Sequence, residues 1–349
     1  MHMADALLSP AVSGVMALAS AGALAYSVVK LKSAGESNLG ASVEGRAPVM
    51  GVMGAFVFAA QMINFTIPAT GSSGHIGGGI LLAAMLGPYA SLLTIAAVLI
   101  IQCLFFADGG LLALGCNIFN MGVYACFVAY PLIFKPMVRS GLSRGRITAA
   151  SVVSVVVGLQ LGAFSVVLQT LLSGVTELPF GTFVLLMQPI HLAIGVIEGA
   201  ITAAVLCFVF QARPDILDSY AASRGTARGE DRGALSFGKT LLALLAMAAV
   251  IGGGLSLYAS SYPDGLEWSM EKAAGTAEFE REGGAYDSAA AIQEKTAFMP
   301  DYGFKSAGDE GSALGTSTAG IVGGALTLVL AFVAGLLASA LKKHAGNNV

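Results

Sequence analysis

Residues 1–29 read MHMADALLSPAVSGVMALASAGALAYSVV, and a long apolar run begins at Ala6. A helix that crosses a bilayer needs about 20 apolar residues, so the segment near 7–29 predicts a membrane-spanning helix. No basic segment precedes the run and no small-residue cleavage site ends it, which favours a helix kept in the mature protein over a signal peptide. This stretch therefore predicts an all-α integral membrane protein.

The composition of the whole chain agrees with this prediction. Of the 349 residues, 56% are hydrophobic and 11% are charged, whereas soluble domains carry about 25% charged residues. The net charge of −3 excludes the basic footprint of a nucleic-acid-binding protein. The four cysteines lie in apolar stretches without C-x-x-C spacing, so we expect small buried residues rather than a disulfide framework.

Further apolar segments predict eight more spans, near 47–67, 75–88, 90–107, 111–134, 147–173, 183–212, 240–260 and 317–341. Lys and Arg gather on the cytoplasmic side of membrane proteins. With the N-terminus outside, 14 of the 18 basic residues fall on one face, and the other four lie in an outer loop at 261–316 among eleven Asp and Glu. The sequence thus predicts nine spans, with the N-terminus outside and the C-terminus inside.

A charged segment rich in small residues, 214–238, is typical of a cytoplasmic linker. It divides a seven-helix unit at 1–213 from a two-helix unit at 239–349 that carries the outer loop 261–316. This acidic loop either concentrates cations, covers a site or is simply solvated, and the sequence leaves these alternatives open. No internal repeat is evident, which weakens the case for an inverted-repeat transporter.

The first two residues can chelate a metal ion. The Met1 amine, the His2 amide nitrogen and the His2 imidazole close adjacent five- and six-membered rings on one ion. This planar, nitrogen-rich geometry suits nickel or copper among the divalent metals. We expect Met1 to be retained, because the bulky His2 hinders its removal. The alternative is that His2 belongs to a frayed terminus.

A second candidate ligand, His75, lies in the segment TGSSGHIGGG at 70–79. The predicted topology places it on the same outer side as Met1, at the start of the third span. The dipole at a helix N-terminus disfavours the imidazolium form and leaves a ring nitrogen free for a metal. A flexible loop with a surface histidine is the alternative. Two histidines on one face beside a chelating terminus favour a site formed by Met1, His2 and His75.

Several polar side chains lie inside the predicted spans, where many such groups only join helices. Gln61 and Asn64, near the outer end of the second span, are candidates to orient the histidine ligands, as is His191. His191 and Glu198 are seven residues apart on one helix face, which would also suit a proton relay.

The first span carries Ala17, Ala21 and Ala25 at four-residue spacing. Such a stripe of small residues lets another helix approach closely, either within this chain or as a docking surface for a second membrane protein.

The segment GALSFGKT at 233–240 satisfies the pattern of a nucleotide phosphate-binding loop. A true loop of this kind follows a buried strand and opens a helix of an α/β domain. Here a polar linker precedes it, a predicted membrane helix follows, and no strand-ending Asp is visible nearby. We therefore expect no ATPase activity in this chain.

Seven segments carry a resemblance to known proteins. In the first unit they are MHMADALLSP at 1–10, NFTIPATGSSGH at 64–75, GGLLALGCNIFNMG at 109–122, ELPFG at 177–181 and HLAIGVIEGAIT at 191–202. These resemble the substrate-binding component of energy-coupling-factor nickel/cobalt transporters, the NikM/CbiM family. The second unit resembles the small accessory NikN/CbiN subunit through PDGLEWS at 263–269 and MPDYGF at 299–304.

The resemblance implies that the Met1 amine, the His2 amide and imidazole nitrogens and His75 bind the metal in one plane. It also implies a transmembrane coupling (T) subunit and two cytoplasmic ATPase subunits as partners, in the cytoplasmic (inner) membrane of a prokaryote. Asp5 aligns with an acid of the family, whereas Ala6 stands where the family has glycine.

The sequence thus predicts a subunit that captures Ni²⁺ or Co²⁺ as its transported substrate, without a permanent cofactor. Nickel is favoured over cobalt because a deprotonated amide in a planar nitrogen set suits Ni²⁺ better. One alternative is a stand-alone proton-coupled metal carrier that uses His191 and Glu198. A second alternative is a membrane-embedded enzyme or receptor, whose activity would survive loss of Met1 and His2.

Overall fold

A computed structural model of the protein describes residues 1–33, 43–218, 235–305 and 313–346. Within these ranges the chain is a bundle of helices with one small hairpin. The helices are α1 Pro10–Ser33, α2 Val43–Gln61, α3 Gly79–Leu86, α4 Pro88–Phe106, α5 Leu114–Val138, α6 Arg144–Ser173, α7 Phe180–Ala212, α8 Phe237–Gly253, α9 Gly265–Ala274, α10 Gly284–Thr296 and α11 Ala313–Gly346. The hairpin pairs β1 Phe65–Ile67 antiparallel with β2 Ser72–Gly74.

Six helices of the described ranges are long and apolar enough to cross a membrane. They are Pro10–Lys32, Pro88–Phe106, Leu114–Val138, Arg144–Ser173, Phe180–Ala212 and Ala313–Ala338, and each overlaps one predicted span. Of the other predicted spans, 47–67 overlaps α2, which ends at Gln61, and 240–260 overlaps the shorter apolar helix α8, which ends at Gly253. The count of nine spans and their orientation stay predictions. Most of the linker predicted at 214–238, and residues 306–312 of the outer loop, lie outside the described residues.

The segment predicted as a span at 75–88 differs from the expectation. It contains only α3, whose eight residues are all buried and which would extend about 12 Å. The helix cannot begin at residue 75 because Gly78 adopts a left-handed conformation, with φ of 77°. It ends at Gly87, before Pro88 starts α4. Residues 62–78 therefore form a hairpin and loop that enter the bundle.

The second unit packs on the first through α2. Helices α8 and α11 cross where Gly252 and Gly320 meet, and a Cβ added to Gly320 would overlap the backbone of Gly252. Gly51 and Gly54 of α2 likewise admit α11, because a Cβ on Gly51 would lie 3.0 Å from the Leu328 carbonyl oxygen. These glycines let the helix backbones approach closely, as small residues do in membrane bundles.

The outer segment between α8 and α11 lies over the hairpin and the N-terminus. The Ser73 N–H donates to the Pro263 carbonyl at 2.8 Å, and the Trp268 indole donates to the Thr70 carbonyl at 3.0 Å. The Tyr286 hydroxyl donates to the Leu8 carbonyl at 2.7 Å. The described part of the acidic loop therefore contacts the hairpin and the N-terminal segment of the first unit, and the alternatives that the sequence left open for its role stay predictions.

Candidate metal centre

The N-terminal segment is held inside the bundle. The Asn117 side chain accepts from the Met3 N–H at 2.8 Å and donates to the Met3 carbonyl at 3.2 Å. Gly110 N–H donates to the same carbonyl at 2.9 Å, and Asp5 accepts from Ala113 N–H at 2.9 Å. These hydrogen bonds pair the main-chain groups of the first residues and hold the segment in place, as the hydrogen bonds between neighbouring strands do in a sheet. In this structure His2 therefore belongs to a buried segment rather than to a frayed end.

His75 lies beside the Met1 amine, with 3.3 Å between the Met1 nitrogen and His75 Nε2. His75 Nδ1 lies 3.0 Å from the Ile76 carbonyl oxygen. A carbonyl only accepts, so Nδ1 carries the hydrogen and Nε2 presents its lone pair to the amine. Burial lowers the pKa of His75 to about 3, and the positive N-terminus acts in the same direction. His75 is therefore a neutral ring with a free nitrogen, which a metal ligand must be.

The His2 ring lies parallel to the His75 ring, with 5.1 Å between centroids and 10° between planes. His2 Nδ1 lies 3.1 Å from Asp108 Oδ1, and the Tyr302 hydroxyl donates to Asp108 Oδ2 at 2.5 Å. Burial opposes ionisation of Asp108, but the neighbouring His2 and the Tyr302 hydroxyl bond hold its pKa well below the usual range. Nδ1 is the ring nitrogen that closes a chelate with the His2 amide, so metal binding would replace its contact with Asp108.

Asp264 brings the second unit into contact with the first residue. Its Oδ2 lies 2.5 Å from the Met1 nitrogen, and its Oδ1 accepts from the N–H groups of Leu266 and Glu267 at the start of α9. The Glu267 side chain accepts from Asp264 N–H, which completes a capping box. Burial would raise the pKa of Asp264, but the adjacent ammonium outweighs it and holds that pKa well below its usual range.

The predicted orienting residues Gln61 and Asn64 lie near the centre but do not hydrogen-bond to a histidine among the described residues. The Gln61 side chain donates to the Gly77 carbonyl at 3.0 Å and accepts from Gln102 at 2.8 Å. The Asn64 carbonyl accepts from Ser260 N–H at 2.7 Å, while its side-chain oxygen is buried without a partner in the described ranges. Gln61 thus supports the loop that carries His75.

His191 and Glu198 are buried below the centre, with exposed fractions of 1% and 3%. They line a separate cavity together with Met1 and His75. Ala17, Ala21 and Ala25 are exposed on α1, whose buried edge is formed by Ser13, Ser20 and Ser27. The Ser20 hydroxyl donates to the Gly115 carbonyl at 2.6 Å. The side chains of the alanine stripe are therefore exposed, while the Ala17 backbone packs against Gly115 of α5.

Sequence reasoning missed Asp108, Tyr302 and Asp264. Asp108 stands at the end of an apolar run before Gly109-Gly110, and Asp264 heads the pattern D-x-x-E of a capping box. Both patterns mark helix ends, but neither reveals which residue the carboxylate faces. Throughout the described ranges no three His, Cys, Asp or Glu side chains form a group that could hold a metal ion. A metal held here must therefore use main-chain nitrogens as well.

An open cavity of about 1110 Å³ leads to the centre from the side of the N-terminus. Among the described residues its lining includes His2, His75, one basic residue, Arg281, and seven acidic residues, Asp5, Asp108, Asp264, Glu267, Glu280, Glu282 and Asp301. A vestibule lined by one sign of charge raises the local concentration of counter-ions. The acidic lining of this cavity is of the kind that suits a cation.

Comparison with known families places two matches on the chain. Residues 2–216 match the family described as the cobalt uptake substrate-specific transmembrane region, CbiM, and residues 238–340 match the PDGLE domain.

Similar proteins include a putative fused nickel transport protein, NikMN, of Archaeoglobus fulgidus. It is 34% identical over 334 residues, which cover 95% of this chain and 97% of the relative. A probable fused nickel transport protein, LarMN, of Lactiplantibacillus plantarum is 31% identical over 61% of this chain and 66% of its own length. The cobalt transport protein CbiM of Sorangium cellulosum is 34% identical over 49% of this chain and 76% of its own length.

A crystal structure described as a truncated transition metal transporter is similar in fold. It has a TM-score of 0.51 and 29% sequence identity, and the alignment covers 60% of this chain and 98% of that one.

Proposed function

Because this chain belongs to the CbiM family of cobalt uptake transmembrane proteins and carries a PDGLE domain behind it, we propose that it captures Ni²⁺ or Co²⁺ at the outer membrane face. The chain is a multi-pass membrane transport protein rather than an enzyme. The proposed ligands are the Met1 amine, the His2 amide nitrogen, His2 Nδ1 and His75 Nε2.

One observation carries the proposal, the 3.3 Å between the Met1 nitrogen and His75 Nε2. Two nitrogens at right angles around a metal, each about 2.0 Å from it, lie about 2.8 Å apart. A shift of about 0.5 Å would therefore bring both to one ion. The His2 amide directly follows Met1 in the chain, and its N–H has no hydrogen-bond acceptor among the described residues. This nitrogen can therefore give up its proton and bind a metal ion in its place.

The charge of the buried centre supports the same ligand set. With both histidine rings neutral, the centre without a metal carries one ammonium, on Met1, which contacts Asp264, while Asp108 contacts His2. Loading with M²⁺ removes one proton from the ammonium and one from the His2 amide. The metal and the amide anion then carry a single positive charge, the same as the ammonium. Because the net charge does not change, burial of the ion needs no further counter-charge.

Nickel is the better substrate on coordination grounds, since a deprotonated amide in a planar nitrogen set suits Ni²⁺ more than Co²⁺. The fused relatives from Archaeoglobus fulgidus and Lactiplantibacillus plantarum are both named nickel transport proteins. Copper binds such nitrogen sets tightly too, so selectivity must also depend on which metal is available.

Uptake is proposed to be driven by partners, a transmembrane coupling subunit and two cytoplasmic ATPases. The phosphate-loop pattern at 233–240 does not supply a nucleotide site, because its described part leads into the apolar helix α8. Ser236 caps that helix by accepting from Lys239 N–H. The exposed stripe of Ala17, Ala21 and Ala25 is the proposed surface for the coupling subunit. ATP hydrolysis in the partners would then drive release of the ion inward.

Nickel binding to the purified chain, followed by visible absorption, tests the capture site. We expect wild-type protein to show the yellow band of planar nickel. His2→Ala, His75→Ala and a variant with two leucines inserted before His2 should lose it; two residues are needed because a histidine at position 3 would form a planar nickel chelate of its own. The matched control adds two leucines after Val349 and should keep the band. Intact mass measurement verifies that Met1 is the first residue and is unmodified.

The insertion variant is the decisive one, because it moves the amine away from His2 without removing a side chain. If it retains the band, the terminal chelate is refuted. Uptake into cells separates the coupled transporter from a proton-driven carrier. Uptake that survives ATP depletion but is abolished by Glu198→Gln would refute the ATPase-driven proposal.

A further inference from the structure

A second, smaller cavity adjoins the proposed capture site. It measures about 40 Å³ of space open to the centre of a water molecule, and its lining includes Met1, His75, His191 and Glu198. One ordered water needs about 10–15 Å³ by this measure, so the cavity has room for a small cation with one or two waters. His75 and Asp264 line both this cavity and the outer vestibule. The capture site therefore separates an outer space from an inner one.

The His191 ring is arranged as a metal ligand in that inner space. Its Nδ1 lies 2.8 Å from the Met187 carbonyl oxygen, so Nδ1 carries the hydrogen and Nε2 presents a lone pair. Nε2 is buried and has no hydrogen-bond partner in the described ranges. His75 has the same arrangement, because its Nδ1 donates to a carbonyl and its Nε2 carries no hydrogen. Ligating histidines are oriented in this way by a carbonyl or carboxylate partner.

A purely structural role does not account for His191. Buried polar atoms in proteins are nearly all hydrogen-bonded, and an unpaired one costs free energy that an apolar side chain of similar size would avoid. Gly265 of the second unit packs against the ring. A Cβ at this position would lie 3.0 Å from His191 Cε1, so the lack of a side chain gives the ring room. The unpaired nitrogen therefore points to a ligand that is present only part of the time.

Glu198 places a carboxyl group on the same cavity. Its Oε1 accepts from Gly78 N–H at 2.9 Å, in the loop that carries His75. His191 and Glu198 are seven residues apart on α7, which corresponds to about 10 Å along the helix axis. One ion cannot contact both groups directly, but an ion on His191 with one or two waters would lie within reach of the carboxylate.

We propose that this cavity is a transit site for the divalent cation, in which His191 Nε2 binds the ion after it leaves the capture site and Glu198 balances its charge. This inference rests on the proposed function, since it needs an ion delivered by Met1, His2 and His75. One imidazole and a distant carboxylate hold a metal far more weakly than four nitrogens in a plane. Weak binding is what a transport path requires, because the ion must also leave.

Equilibrium dialysis of the purified full-length chain with radioactive Ni²⁺ tests the transit site. Wild-type protein should bind one tight equivalent and a second one at least a hundredfold more weakly. His191→Ala should lose the weak equivalent and keep both the tight one and the yellow band. Glu198→Gln should weaken the second equivalent at least tenfold. His191→Phe, which fills the volume of the ring, replaces the alanine variant if that one fails to fold.

Thr202→Val is the matched control. Thr202 lies one turn beyond Glu198 on α7, is equally buried and has an unpartnered hydroxyl, but it does not line the cavity. This variant should keep both equivalents. Thr202→Val losing the weak equivalent would overturn the transit site, because that loss would then not be specific to the cavity.

Three further outcomes overturn the transit site, and none of them decides whether the capture site is correct. A single equivalent in wild type, or two equivalents in both His191 variants, overturns it outright. Loss of the yellow band in the folded His191 variants would make His191 part of the capture site instead. Failure of the proposed function has a different signature, because the tight equivalent would then persist in His2→Ala and His75→Ala.

Discussion

At a pH where the His2 ring is neutral, metal loading at the proposed capture site should release two protons for each ion bound. One comes from the Met1 ammonium that faces Asp264, and the other comes from the His2 amide. His75 contributes none near neutral pH, because burial and the positive N-terminus lower its pKa to about 3. Protons would compete with the metal for His75 only as the pH falls toward that value.

The size of the effect follows from proton linkage. Each proton displaced by the metal multiplies the affinity tenfold for a rise of one pH unit, so two protons give about a hundredfold, or about 2.7 kcal/mol of binding free energy per pH unit. The sign is set by the competition. Affinity rises with pH, since the protonated amine and amide cannot bind the ion.

Isothermal titration calorimetry with Ni²⁺ in buffers of different ionisation enthalpy counts the protons directly. Competition with a chelator of known affinity, repeated across neutral pH, measures the slope. His75→Ala is an informative comparison, because it should weaken nickel binding yet leave the count at two. A count near one in wild type would show that the His2 amide keeps its proton, and the planar four-nitrogen site would then be refuted.

Two further predictions concern the surroundings of the centre. Gly110→Ala should lower nickel affinity at least about tenfold, because its Cβ would overlap the N-terminal segment. Gly145→Ala, whose Cβ meets nothing within 4 Å, should leave affinity unchanged, and equal affinities of the two variants in chelator competition would contradict the reasoning. Tyr302→Phe removes the hydroxyl that donates to Asp108, and it should lower the free energy of unfolding by about 1.5–3 kcal/mol. Denaturant unfolding in detergent measures this loss against Tyr258→Phe, which is 87% exposed, and a difference below about 0.5 kcal/mol would count against the contact.

The long helices were predictable from the sequence because membrane insertion depends on one local property, a sufficient length of apolar residues. The six predicted spans that overlap α1, α4, α5, α6, α7 and α11 all satisfy it. The segment at 75–88 is apolar as well, but the left-handed Gly78 and the break at Gly87 shorten its helix to eight residues. Hydropathy does not report backbone conformation, so the hairpin and the inward loop were not predicted.

The sequence by itself determined the fold class and named Met1, His2 and His75 as candidate ligands, because chelate chemistry depends on residues adjacent in the chain and on histidine as a residue type. Only the tertiary structure decided what surrounds them. Asp264 reaches Met1 across 263 positions, and Tyr302 reaches Asp108 across 194. Such contacts depend on how α8 and α11 pack on α2 and carry the outer segment over the N-terminus. The orphan nitrogen of His191 likewise follows from packing, since whether a buried group finds a partner is set by its neighbours in space.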